Sequence, residues 1–131
     1  MHKRLYILTS ISMLLLSACG GGGGDTISEA NQNTAPDFIG IIDYAVDENT
    51  LDIATLQATD AEGDNITYSI SGDDASLLSI GGSSGILAFQ SSPDFESPQD
   101  ADQDNIYSIT VSASDGQLTS SLGIIITVND V

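Results

Sequence analysis

The stretch YSITVSAS, Tyr107 to Ser114, alternates apolar and hydroxyl side chains without a break. Tyr107, Ile109, Val111 and Ala113 fall on one parity, and Ser108, Thr110 and Ser112 on the other. A period of two puts these sets on opposite faces of a strand, which excludes an amphipathic helix here. Leu122, Ile124, Ile126 and Val128 repeat the pattern, and Ile66, Tyr68 and Ile70 alternate with Thr67 and Ser69. Phe38, Ile42, Tyr44 and Val46 also share one parity. No segment carries a helical repeat, so the chain is expected to be all-β.

Turn formers separate these runs: Ala61-Glu62-Gly63-Asp64, Gly72-Asp73-Asp74, Gly81 to Gly85, and Asp115-Gly116. Glycine supplies positive φ, and Asp and Ser bond back to nearby amides. Seven strands are predicted, over 38–46, 51–58, 65–71, 76–80, 85–90, 105–114 and 118–129. Seven short strands in one small domain read as a two-sheet, Greek-key, immunoglobulin-like β-sandwich, with a small closed barrel as the alternative. With no Trp and three Phe, the core must be built mainly from Ile, Leu, Val and Ala. The loop from Ser91 to Asn105 is the longest and the most acidic.

The N-terminal 18 residues read differently. His2, Lys3 and Arg4 precede an apolar run from Leu5 to Leu16, then Ser17, Ala18 and Cys19. A basic start, a short apolar core and small residues before a cut site describe a secretory signal peptide. The run is shorter than the ~20 residues of a membrane-spanning helix. Leu16-Ser17-Ala18-Cys19 resembles a bacterial lipobox at all four positions. The resemblance implies cleavage before Cys19 and acylation of that residue, the only cysteine of the chain. Two or more acyl chains anchor a protein stably, where one does not. Gly20 follows, where lipoproteins kept in the inner membrane usually carry Asp, so the resemblance implies the outer membrane or cell surface. Residues 19–35, with Gly20 to Gly24 and a polar stretch, read as a flexible tether. Residues 36–131 form the folded domain.

Charge narrows the function. The 131-residue chain has 19 acidic and two basic residues, and Lys3, Arg4 and His2 all lie in the signal. Such a surface repels nucleic-acid phosphates, so no nucleic-acid partner is expected. Beyond the signal there is no His, Lys or Arg and no free thiol. The usual general bases, thiol nucleophiles and oxyanion-stabilising cations are therefore missing, and no enzymatic activity is expected. Zinc lacks its usual ligands. Clustered carboxylates instead call for counter-ions, and calcium, which takes six to eight oxygens in irregular loops, suits them.

The acids fall in groups: Asp47-Glu48-Asn49, then ATDAEGDN with YSI behind it, then Asp94-Phe95-Glu96, then VSASDG, then ITVND at the end. In this order they resemble a cadherin domain, and Asn33-Thr34-Ala35-Pro36 is similar to the linker before one. The resemblance covers nearly all of residues 33–131. It implies a sandwich that binds calcium at its two ends. Glu48, Asp94, Glu96 and Asp130 match the acids at the end away from the N-terminus. Asp60 and Glu62 match the paired acids of the opposite end, where the family usually has two Asp. Asp115 matches the acid before the last turn, with Asn65 a weaker candidate. Each cluster would be completed by a neighbouring domain, so weak affinity is implied. Asp100-Ala101-Asp102-Gln103-Asp104-Asn105 starts like an EF-hand loop but has Asn105 at the sixth place and Val111 at the twelfth, so a solvated turn is expected, with a loop carboxylate helping an ion held by Asp94 and Glu96 as the alternative.

The resulting reading is a calcium-binding, cadherin-like, lipid-anchored surface module. Its expected role is calcium-dependent adhesion or surface interaction, with a like domain or a surface polysaccharide as partner. A structural spacer or an accessory carbohydrate-binding module is the alternative.

Overall fold

The computed structural model describes residues 32–131; the signal, Cys19 and the glycine tract lie outside the described residues. Nine strand segments follow one another: β1 (Asp37–Ile39), β2 (Asp43–Asp47), β3 (Asp52–Thr55), β4 (Gln57–Thr59), β5 (Thr67–Ser71), β6 (Leu78–Ile80), β7 (Ile86–Phe89), β8 (Ile106–Ser114) and β9 (Thr119–Asn129). One 3-10 turn, Ala75–Leu77, leads into β6. One sheet has the order β2-β9-β8-β5. Facing it are β3-β7-β6 and the pair β1-β4, in which β3 and β4 are two halves of one strand interrupted at Leu56. The seven expected runs are all present, and the architecture is an all-β Greek-key sandwich.

Two runs break where the sequence showed continuity. The first expected strand divides at Gly40, whose φ of 130° suits glycine. The chain leaves the β1-β4 pair there and enters the other sheet as β2, parallel to β9. Ile42 lies in the crossover and is 48% exposed, so it does not share a buried face with Phe38, Tyr44 and Val46. The second run breaks at Leu56, whose N–H donates to the Gly85 carbonyl at 2.8 Å. Gly85 has φ 69°, and a Cβ there would run into the Leu56 carbonyl.

The core lies between the sheets. Tyr68, Tyr107, Ile109, Val111, Ala113, Ile124, Ile126 and Val128 face Leu56, Leu78, Leu87 and Phe89. Phe89 and Tyr107 meet edge to face across the sandwich, 5.0 Å between centroids. The Tyr68 hydroxyl accepts the Ala58 N–H at 2.9 Å, so a mostly buried phenol is satisfied and the sheets are tied. On β8 the buried residues are those of the apolar parity, with Ser and Thr turned outward.

Candidate metal centre

Strand pairing brings one acidic set together. Because β2 runs parallel to β9, with Asp47 beside Asn129, Glu48 and Asp130 leave their strands at the same end. The Glu48 N–H donates to the Asn129 carbonyl at 3.0 Å. Asn49, at φ 62°, donates its N–H to the Pro93 carbonyl at 2.8 Å, which draws in the long loop. Glu48 is only 8% exposed. Its Oε2 accepts the Phe95 N–H at 3.1 Å and its Oε1 the Val131 N–H at 3.3 Å. On the loop, Asp94 Oδ1 accepts the Glu96 N–H at 3.1 Å, and both side chains are exposed. One carboxylate oxygen from each of Glu48, Asp94 and Glu96 lies within 4.8 Å of the others. Asp130 is exposed at this end and outside that set.

The donors suit a hard cation. All are oxygens, and the cluster joins a strand end to a loop of otherwise irregular backbone. Like charges 4.8 Å apart repel by roughly 1 kcal/mol per pair even when screened as in water. No Lys, Arg or His exists beyond Arg4 to offset this. Calcium bound there would supply the compensating charge and cross-link β2 to the loop.

The opposite end is arranged otherwise. Asp60 Oδ1 accepts the N–H groups of Glu62 and Asp64 at 2.9 and 3.0 Å, closing a turn around Gly63 (φ 80°). Asp60 Oδ2 is buried and finds no partner among the described residues. Glu62 Oε2 accepts both the N–H and the hydroxyl of Thr34, at 3.0 and 2.8 Å. Asp115 Oδ1 accepts the N–H groups of Leu118 and Gln117, both at 2.7 Å. Asp115 Oδ2 accepts the Asn33 amide at 2.9 Å. The amide bonds from Leu118 and then Gln117 hold the Asp115 carboxyl below its ordinary range. Asp60, Glu62 and Asp115 do not form a set within 4.8 Å, and Asn65 is exposed.

A third set, Asp100, Asp102 and Asp104, also gathers within 4.8 Å. The turn the sequence suggested is solvated at Asp102 and Asp104, but Asp100 is 2% exposed and turned inward. Asp100 accepts the N–H groups of Asp104 and Asn105 at 2.8 and 3.1 Å. Burial pushes its carboxyl up, but these amides outweigh burial and hold it below the ordinary value. Asp102 is pushed up, first by its hydrogen bond with Asp100, then by desolvation and by Asp104. Nearby, Asp74 is 3% exposed and accepts the N–H groups of Ala101 (2.7 Å) and Ser108 (2.8 Å). Sequence reasoning missed Asp74, since nothing in Gly72-Asp73-Asp74 says which acid turns inward.

No protein-family model matches the chain, and no curated protein matches it significantly. Solved structures do. Human protocadherin-24 EC1-2 aligns with a TM-score of 0.64 at 22% identity, over 75% of this chain and 44% of that one. Drosophila N-cadherin EC1-3 aligns with a TM-score of 0.64 at 30% identity, over 75% of this chain and 35% of that one. Mouse cadherin-23 EC22-24 aligns with a TM-score of 0.61 at 22% identity, over 76% of this chain and 33% of that one. The fold is therefore that of a cadherin-like β-sandwich. The chain spans less than half the length of each of these structures.

Proposed function

We propose that this chain is a calcium-binding, cadherin-like surface module that takes part in adhesion. The observation that carries the reading is the convergence of Glu48, Asp94 and Glu96 within 4.8 Å, in a chain with no basic side chain beyond Arg4. Glu48 comes from the end of β2, and Asp94 and Glu96 from a loop 47 residues further on. These three residues would hold the ion, with Asp130 at the same end as a further ligand for a neighbouring domain to complete. Asp60, Glu62 and Asp115 are proposed for the opposite end. The likeness to cadherin structures supports the adhesive role by analogy of fold. The lipid anchor at Cys19 and a place at the cell surface rest on the lipobox-like Leu16-Ser17-Ala18-Cys19.

A thermal melt across a calcium titration, with magnesium as control, tests the metal. Binding to the folded state alone stabilises by RT ln(1 + [L]/Kd), about 2.7 kcal/mol at a hundredfold excess over Kd. A saturating, calcium-selective rise is expected, and a flat curve or an equal rise with both ions sinks the reading. Beads coated with the chain should aggregate in calcium and disperse in chelator. Dispersal in both would leave a spacer. Cys19→Ser should move the protein from the membrane fraction to the soluble fraction.

A further inference from the structure

The two ends of the sandwich differ in what satisfies their carboxylates. At the Glu48 end the donors are backbone N–H groups of the loop and of the last residue. At the other end, two of the acids are bonded by the segment that enters the domain. Glu62 Oε2 takes two donors from Thr34, across 28 residues of sequence. Asp115 Oδ2 takes the Asn33 amide, across 82 residues. One carboxylate stands on the turn after β4 and the other on the turn after β8, so the segment is held on two sides. Directly behind it Pro36 is fully buried, and β1 begins at Asp37.

These contacts occupy some of the lone pairs at this end without any metal. Glu62 Oε2 already accepts an N–H and a hydroxyl, and an sp² oxygen has two lone-pair directions. Both Asp115 oxygens are engaged, one by the Gln117 and Leu118 amides and the other by Asn33. The bonds are to ionised acceptors, which makes them the stronger kind. The geometry points to a metal-independent latch: Asn33 and Thr34, bonded to Asp115 and Glu62, fix the direction in which the chain enters the sandwich. The direction of the entering chain is then set from Asn33 onward, not first at Pro36. A cation could take Glu62 Oε2 only by displacing Thr34, whereas among the described residues Glu62 Oε1, Asp60 Oδ2 and one lone pair of Asp115 Oδ2 stay open to it beside the latch. The inference does not depend on calcium binding at Glu48, Asp94 and Glu96.

Amide hydrogen exchange on the full chain in mild detergent, with excess chelator, tests it. The Thr34 amide should exchange at least tenfold more slowly than in Glu62→Ala, and Asn33→Ala should give an intermediate rate. The amides of Val111 and Ile124 report whether a variant has loosened the whole fold, and they should not change. Thr34→Val keeps the N–H and removes the hydroxyl, so it should retain most of the protection. A Thr34 amide that exchanges at the rate of a free peptide in chelator overturns the latch. So does one protected only when calcium is added, since the ion would then be what orders the segment.

Discussion

Glu48 and Phe95 lie 47 residues apart in sequence, and the carboxylate of the first accepts the backbone N–H of the second at 3.1 Å. This bond fixes where the long loop sits, and with it the positions of Asp94 and Glu96 on either side of Phe95. Glu48 is thus a loop staple as well as a proposed ligand, and the two roles separate by substitution. Glu48→Ala leaves the N–H groups of Phe95 and Val131 without this acceptor and should cost about 1–3 kcal/mol in chelator. Glu48→Gln keeps a carbonyl oxygen, relieves repulsion, and should cost less. Both should lose the calcium response. Denaturant midpoints at constant slope, with and without calcium, measure this. A full calcium response in Glu48→Gln would leave Glu48 a staple only.

Asp94 and Glu96 are exposed and stand with Glu48, whereas Asp73 is exposed and outside every such set. Asp94→Ala and Glu96→Ala should therefore each weaken calcium binding at least tenfold, and Asp73→Ala should leave it unchanged. Calorimetric titration distinguishes them. Equal effects from all three would mean a diffuse counter-ion atmosphere.

Much of this was legible beforehand, for a physical reason. Alternation reports burial directly, so β8 and β9 could be read residue by residue. A strand's change of sheet leaves no such mark. Gly40 looked like one polar interruption in a single run, and its φ of 130° depends on the tertiary path. Glu48, Asp94 and Glu96 could be grouped by resemblance because two short motifs carry them. The bonds from Asn33 and Thr34 could not, since they join residues 82 and 28 positions apart through side chains that could as well be solvated. Asp73 and Asp74 are chemically identical neighbours, and only packing decides that the second is inside.

Asp74 is a second buried acid that ties the long loop to the sandwich. Both of its oxygens accept backbone donors in part-buried bonds, from Ala101 on the loop and Ser108 on β8. Asp74→Ala leaves two N–H groups unpaired and should cost about 2–4 kcal/mol. Asp74→Asn keeps one acceptor oxygen and should cost about half as much. Calcium should not rescue either, because Asp74 lies outside the Glu48 set. Thermal melts in chelator and in calcium check both points.

The Asp100–Asp102 pair carries opposite shifts and so makes a signed prediction at neutral pH. Asp102 is raised chiefly by its hydrogen bond with Asp100. The stability it contributes is present below its ordinary value of 3.8 and lost as pH rises through its raised folded value. Asp104 and Asp100 both repel a charge on Asp102. Asp102→Asn removes one charge and keeps an amide donor for Asp100. Its melting temperature should therefore exceed that of the parent at pH 7, and the difference should shrink toward pH 3. A lower melting temperature at pH 7 in chelator would mean that the charge of Asp102 is itself stabilising.

Asp115 shows the reverse sign. Its carboxyl is held low, first by the Leu118 N–H and then by that of Gln117. The turn between β8 and β9 therefore gains stability that is fully present above 3.8 and is lost as pH falls through the lower folded value. Protonation would weaken the same carboxylate's bond to Asn33, so the turn and the entering segment should loosen together in acid. Side-chain carboxyl shifts of Asp115, followed by NMR with the Asn33 side-chain amide and the Leu118 amide, should titrate with one midpoint below 3.8. Asp115→Asn should abolish that transition. Asn33 side-chain and Leu118 amides that respond at separate pH values would show that Asp115 does not join the turn to the incoming chain.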